Sequence, residues 1–351
     1  MVYCENCVII VAIVYVIKVA AMVSSIKRIN WIKGTPLGVS AYSVKSLSTQ
    51  FYEDVIEIIM CLKGRIDLYC AYEKHELKEG EFVNVDRDVY FLDGGKDCVC
   101  ASVFIDFKYL AEKYPEMRAS MFVCDGRSGH PVTEAQLELQ SLVLGLMSYI
   151  NENLDDNFEE KNDTEKKIAV DIQREGQSSI DIIKLVADKI IKCIVDNFDI
   201  LYYRVPREAF NDKYKERYHK MNIYLNDHCD EQISLKDLAD EFHLTESYVS
   251  EMIRKSGLSF KKIMAYIKAN KSERLLLTTD DSIAEIADKC GFSDVKLYYA
   301  AFREWYRCTP RQFRERYKYG TKDDLKYIKL KNIDKDIMRI SMMTHRKRLL
   351  L

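Results

Sequence analysis

The last third of the sequence carries one short pattern twice, and that repeat limits what the chain can fold into. The first copy runs from Ile233 to Ile253 and the second from Ser282 to Phe302. Each opens with a short amphipathic stretch holding a small residue, Ala239 or Ala287, where a second helix must cross closely. A polar turn follows, then a second helical stretch with a cap-type residue at its start, Thr245 or Asp294. This is the helix-turn-helix arrangement, which presents its second helix to a DNA major groove.

Phe260 to Thr278 reads as a helix joining the two units. About 17 residues at 1.5 Å each give a rod of roughly 26 Å, enough to set two recognition helices in successive major grooves on one DNA face. Gly291-Phe292 supplies the tight turn of the second unit. On the first recognition helix, periodicity assigns Tyr248, Val249, Met252 and Ile253 to the core. It exposes Glu246, Ser247, Ser250, Glu251 and Arg254. On the second, Leu297, Tyr298, Ala301 and Phe302 are assigned to the core, and Val295, Lys296, Tyr299, Ala300 and Arg303 are exposed. Serine can bond several base edges, glutamate can accept from cytosine N4, and arginine suits phosphate or guanine. The plain alternative is that these are solvated surface positions. The tandem arrangement favours base or phosphate contact for Ser250, Glu251, Lys296 and Tyr299. Arg311 and Arg314 follow Thr309-Pro310, a helix start, and read either as phosphate contacts or as partners of nearby acids.

At 351 residues the chain has room for two or three domains. Its net charge of -2 says nothing about nucleic acid, but the distribution does. Arg254 to Lys318 holds 15 Lys/Arg against 8 Asp/Glu, whereas Asn151 to Ile180 holds 4 against 9. A basic C-terminal face beside an acidic connector fits a phosphate-binding module attached to a neutral partner domain. The 11 cysteines are scattered, many in apolar runs (Cys61, Cys70, Cys193, Cys229, Cys290), as buried free thiols of a reducing cytosol would be. Cys4-x-x-Cys7 is half a zinc site with no second pair, so no metal is expected there. Val8 to Ile17 is apolar, Lys18 interrupts, and Val19 to Val23 is apolar again. This is short for a membrane span and lacks the basic start of a signal peptide. Three readings stay open: an over-extended start with Met22 as initiator, a packed element, or a membrane anchor.

From about Ser40 to Phe107 the pattern is β-like. Val55 to Leu62 reads as a buried strand ended by Lys63-Gly64, and Arg65 to Tyr72 alternates. Lys78-Glu79-Gly80 is a turn before Glu81 to Val85, and Asp93-Gly94-Gly95 a turn before Cys98 to Phe107. Short strands with regular glycine turns predict a small antiparallel barrel or sandwich, and this run resembles a cupin-type barrel. Helical periodicity takes over at Glu134 to about Leu154. After an acidic excursion at 151–177 it returns at Ser179 to Tyr203, with Ile180, Ile183, Val186, Ile190, Ile194 and Phe198 near one face. That stripe is either core or a dimer interface. Arg204 to Arg207 and Asn211 to Arg217 read as a polar hinge, and the basic tail 321–351 as a further helix or as disordered chain.

The predicted fold class is α+β. The plan is an apolar segment at 1–30, a cupin-like sensor barrel at 31–130, a helical connector and dimerisation segment at 131–212, an all-α tandem helix-turn-helix domain at 213–320, and the basic tail.

The stretch from about Tyr218 to Arg316 resembles the AraC/XylS family of bacterial transcription regulators. The shared residues include Ile233-Ser-Leu-x-x-Leu-Ala, Ser247-Tyr-Val-Ser, Gly257-Leu-Ser-Phe and Leu275-Leu-Leu-x-Thr. They continue through Ser282-Ile-x-Glu-Ile-Ala-x-x-x-Gly-Phe-x-Asp, Tyr298, Phe302-Arg, Thr309-Pro310 and Phe313-Arg314, in two repeats about 49 residues apart. The resemblance implies double-stranded DNA as partner, RNA polymerase contact, a homodimer in the cytoplasm and more often activation than repression. By analogy the N-terminal half senses a small molecule, a sugar among the candidates. No cofactor is implied. There are departures. The stretch before Gly257 is one residue short, and Lys268 replaces an arginine, losing bidentate contacts. Arg307 stands where a glycine closes the second recognition helix; if positive φ is needed there, it costs about 1 kcal/mol.

Enzyme readings find little support. A catalytic cupin needs clustered histidines and a carboxylate around a metal, and the β-like run at 40–107 has only His75, on a polar stretch read as an exposed loop. The alternatives carried forward are a cupin-type metalloenzyme fused to a DNA-binding module and a membrane-tethered regulator using residues 8–23.

Overall fold

The computed structural model describes residues 29–44, 48–50, 52, 54–70, 73–94, 97–127, 132–153, 177–202, 207–255, 257–319, 325–328 and 330–350. The Cys4/Cys7 pair, the apolar run at 8–23, most of the acidic excursion (154–176) and 203–206 lie outside these residues. Among the described residues no helix is long and apolar enough to cross a membrane.

The N-terminal half is built on two antiparallel sheets. The first has the order β6-β3-β8-β1-β9, from β1 (Leu37–Val44), β3 (Val55–Lys63), β6 (Phe82–Asp86), β8 (Val99–Asp106) and β9 (Leu325–Tyr327). The second has the order β2-β7-β4-β5, from β2 (Ser48–Gln50), β4 (Arg65–Cys70), β5 (Glu73–Lys78) and β7 (Tyr90–Gly94). The apolar run of β3, broken by Glu57 before it ends at Lys63, follows from burial on both faces. Ile56, Ile58, Met60 and Leu62 pack outward against helices, while Val55, Ile59 and Cys61 pack between the sheets with Tyr90, Leu92, Phe104 and Leu68. The turns at Gly64 (φ 74) and Gly80 (φ 83) fall where glycine was read as punctuation.

The expected barrel is not closed. Among the described residues the two sheets share no hydrogen-bonded strand pair, and the edge of β1 is taken by β9 from far along the chain (Tyr42 opposite Tyr327, Val44 opposite Leu325). An edge whose N–H and C=O groups are paired this way has no need to curl onto the second sheet. His75 also departs from expectation: it is half-buried on β5, opposite Leu68, and not on a loop.

Helices cover the outer face of the first sheet: α1 (Phe107–Lys113), α2 (Glu134–Asn153), α3 (Gln177–Asn197) and, from the tail, α11 (Asp334–Leu349). The stripe on α3 is core. Ile183, Ile190 and Ile194 are buried against α2 and the sheet within the single chain, because that sheet face needs an apolar cover. The helix also stops at Asn197, giving way to a 3₁₀ turn at Ile200–Tyr202.

The predicted hinge at Asn211 to Arg217 is instead the start of α4 (Asp212–Asp227), capped by Asn211, whose side chain accepts from the Tyr214 N–H at 2.8 Å. After it come α5 (Leu235–Glu241), α6 (Glu246–Lys255), α7 (Phe260–Thr278), α8 (Ile283–Lys289), α9 (Val295–Tyr306) and α10 (Pro310–Arg314). The tail then returns to the N-terminal half as β9 and α11, so the helical module is joined to the sheets at both of its ends.

Candidate nucleic-acid interface

The two units are built alike, atom for atom at their starts. Ser234 caps α5 and Ser282 caps α8, each in a reciprocal capping box with the acid three residues on, Asp237 or Glu285. Each first helix ends in a left-handed residue, His243 (φ 53) or Gly291 (φ 74). The next N–H, of Leu244 or Phe292, returns to the carbonyl of Ala239 or Ala287 at 2.9 Å. The small alanines thus sit at the crossing, both buried.

The left-handed turn tolerates His243 but not a side chain at 291. A Cβ there would lie 2.5 Å from the Asp230 backbone. That close approach brings the loop before the first unit onto the turn of the second. Lys268, buried on α7, donates from Nζ to the Gly291 carbonyl at 2.5 Å and to the Glu231 carbonyl at 3.4 Å. Gln232 Nε2 donates to the same Gly291 oxygen at 3.0 Å. Desolvation lowers the Lys268 pKa. The lysine that replaces the expected arginine is therefore a brace between the units.

The second helices face outward. Glu246, Ser247, Ser250, Glu251 and Arg254 are exposed on α6, and Lys296, Ala300 and Arg303 on α9, while Val295 and Tyr299 are half-buried. Val249, Met252 and Ile253 hold α6 in one core with Leu238 and Ile267; Tyr298, Ala301 and Phe302 hold α9 in another with Ile286 and Leu276. Two expected core residues are on the surface instead: Tyr248 is 39% and Leu297 55% exposed. Tyr248 leans on α4, its hydroxyl accepting from Arg217 Nη1 at 3.0 Å with the guanidinium over its ring. Each lies beside the exposed set, and periodicity alone missed them. An apolar side chain at the base of a recognition helix can meet a thymine methyl.

Other cations are committed within the protein. Arg314 Nε donates to the Leu276 carbonyl at 3.2 Å, and Arg311 pairs with Glu315 at 3.0 Å. Arg307 does occupy a left-handed position (φ 54) as the C-cap of α9.

The N-terminal half grips this module at several places. Glu273 on α7 is buried and accepts from the Val89 N–H at 2.9 Å. Burial pushes its carboxyl up to about 7, and burial with the Glu273 charge also raises Asp88 beside it. Phe91 stacks on Tyr317 at 4.3 Å between ring centroids. At the first unit, Arg118 makes a bidentate pair with Asp227, and Asn222 Nδ2 donates to the Ala119 carbonyl at 2.8 Å. Among the described residues no group of three or more His, Cys, Asp or Glu is placed to hold a metal ion.

Two helix-turn-helix units braced on one linker helix define a tandem DNA-binding domain. A family model described as a helix-turn-helix domain matches residues 238–316. Over 92 residues the chain is 27% identical to the HTH-type transcriptional activator FapR of Escherichia coli, covering 26% of this chain and 34% of FapR. Over 79 residues it is 33% identical to the transcriptional activator PerA of Escherichia coli O127:H6, covering 22% of this chain and 29% of PerA. The chain thus spans about a third of the length of these curated relatives. The crystal structure of ToxT from Vibrio cholerae O395 covers 80% of this chain and 97% of that one at 11% identity and TM-score 0.42, too distant to carry anything across. Residues 238–316 thus carry a helix-turn-helix domain similar to that of AraC-type transcriptional activators.

Proposed function

We propose that this protein is a sequence-specific DNA-binding transcription regulator whose sheet-rich half sets the placement of the tandem units. The observation that carries this is the exposure, among the described residues, of both recognition faces on units braced through Lys268 and Gly291. Ser250, Glu251, Lys296 and Tyr299 are assigned to base or phosphate contact, with Arg254 and Arg303 at the phosphates. FapR and PerA are named as transcriptional activators, and activation, through contact with RNA polymerase, is the mode assigned to this chain.

The small-molecule effector is assigned to the space between the sheets. Amid apolar packing, Glu57 is buried there with a hydrogen bond from the Tyr90 hydroxyl, and the Tyr42 and Ser102 hydroxyls meet at 2.8 Å. Such a group suits a hydroxyl-bearing ligand, a sugar among the candidates, which would shift regulation by favouring one placement of the DNA-binding domain over another. The test is gel shift and footprinting of the full chain on its own upstream DNA with a panel of sugars. A protected site whose affinity falls steeply with salt is expected. Absence of any sequence preference would overturn the reading, and a sugar-independent footprint would remove its effector part.

A further inference from the structure

We infer that Cys61, Cys98 and Cys100 form a site of reversible oxidation by hydroperoxide, in which Cys98 reacts first and a disulfide between Cys61 and Cys100 is the product.

The first sheet brings the three thiols together. Cys61 on β3 stands directly opposite Cys100 on β8, and Cys98 precedes Cys100 by two residues and shares its face. All three pack between the sheets in one apolar cluster with Leu92 and Phe104. The Cys61 backbone turns away from β8: its N–H donates to the Glu81 carbonyl at 3.0 Å, and its carbonyl accepts from the Gly80 N–H at 2.8 Å. Cys61 and Cys100 are therefore a non-hydrogen-bonded pair, the kind whose side chains come closest, with Cα atoms about 4.5 Å apart. That separation is one a disulfide bridges. The Cys100 thiol already hydrogen-bonds with those of Cys61 and Cys98.

A thiol buried among apolar groups is ordinarily inert, and Cys98 differs in two ways. Its sulfur accepts from the Cys100 thiol and from the Val44 N–H at 3.4 Å. When protonated it donates to the Val44 carbonyl at 3.5 Å. The bonds it accepts outweigh desolvation and bring Cys98 down to about 6, whereas Cys100, donating to its neighbours, is raised. The cover over Cys98 is also thin. Gly64, exposed and without a side chain, packs on its Cα, and Gly94 packs on its sulfur. A peroxide is little larger than the water it replaces.

The chemistry balances on these three groups. The Cys98 thiolate attacks one oxygen of hydrogen peroxide, forming an S–O bond as the O–O bond breaks and hydroxide leaves. The Cys100 sulfur displaces the hydroxyl from Cys98, and its proton leaves with that hydroxyl as water. The resulting bond spans two residues of one strand, about 6.6 Å, near the limit for a disulfide. Cys61 gives its proton to the hydroxide, making the second water, and attacks the Cys100 sulfur. The Cys98 thiolate is expelled, being the better leaving group because its pKa is lower. Two thiols lose two electrons and two protons, and the peroxide takes them. In a reducing compartment disulfides are mostly of this transient kind. The site stands independently of the effector and DNA-binding readings.

The test uses the reduced full chain and hydrogen peroxide, quenched at intervals by alkylation and read by mass spectrometry of tryptic peptides. The peptide holding Cys61 should become linked to the one holding Cys98 and Cys100, and dithiothreitol should separate them. Cys124, Cys193, Cys229 and Cys290, buried elsewhere, should stay alkylatable. Dimedone should trap the sulfenic acid on Cys98. The rate should rise from about pH 5 and level off above about pH 7. Cys98→Ser should slow the linkage at least about tenfold, and Cys61→Ser should halt the reaction at the Cys98–Cys100 bond. Should either variant fail to fold, the linkage, the dimedone adduct and the pH profile are all read on the parent. No linkage at a peroxide concentration that oxidises free cysteine, a linkage through a different cysteine, or a rate still climbing at about pH 9, as an ordinary thiol's does, would overturn the proposal.

Discussion

The Lys268 ammonium donates to the carbonyl oxygen of Gly291 at 2.5 Å, from the helix that joins the two units to the turn that shapes the second. One lysine thereby spans from the loop preceding the first unit to the heart of the other, and braces the spacing between the two recognition helices.

Removing that ammonium should loosen the spacing more than the fold. Lys268→Met keeps the aliphatic packing but removes this donor from the Glu231 carbonyl and leaves the Gly291 carbonyl to Gln232 alone, a cost of about 1–3 kcal/mol. Binding to a site with both half-elements should weaken, and tolerance of altered spacing between them should rise. Footprinting on sites with one or two inserted base pairs measures this.

Gly291 and Arg307 both sit at positive φ and should respond in opposite directions. Gly291→Ala adds a methyl 2.5 Å from the Asp230 backbone as well as the left-handed penalty, and should destabilise by several times the roughly 1 kcal/mol of the latter alone. Arg307→Gly relieves only that penalty and should stabilise by about 1 kcal/mol. Urea unfolding of each variant checks the sign.

Glu251→Ala and Lys296→Ala should change site preference while leaving stability near that of the parent, since both side chains are exposed. A good base contact is worth about 1–3 kcal/mol of discrimination. Leu297→Ala should act similarly at thymine-containing positions, which periodicity did not foresee. Selection of preferred sites from random DNA distinguishes the three.

Burial pushes the Glu57 carboxyl up to about 7 from an ordinary 4.5. The folded state therefore holds this proton more tightly than the unfolded chain. Its contribution to stability is full below about 4.5 and is lost as pH rises through about 7, roughly 3 kcal/mol in all. Glu273, raised to about 7 at the junction of the two halves, acts with the same sign. Glu57→Gln and Glu273→Gln should each flatten the fall in melting temperature between pH 5 and pH 8, a window that spans both values.

The local features of the DNA-binding half were legible in the sequence because local chemistry sets them. Serine caps with an acid three residues on, alanine at the crossing, glycine at the turn and the bounds of the linker helix need only neighbours along the chain. The strand and turn order at 55–106 was legible for the same reason, since alternation and glycine record burial and turn geometry residue by residue. Periodicity could say that the α3 stripe is apolar, but not what it faces. The answer, a sheet of its own chain, depends on residues about 80–155 positions earlier in sequence. Nor could sequence place Lys268 on Gly291, Glu273 on Val89, or the tail strand on β1. Each of these pairs a polar group with a backbone atom remote in sequence, and backbone atoms leave no residue-specific signature. The sequence by itself determined most of the helix, strand and turn segments and the tandem helix-turn-helix character of the C-terminal domain, though it read the start of α4 as hinge and the His75 strand as loop. Only the tertiary structure decided how the halves grip each other, because that rests on the desolvation and pairing of groups that meet only after the chain has closed.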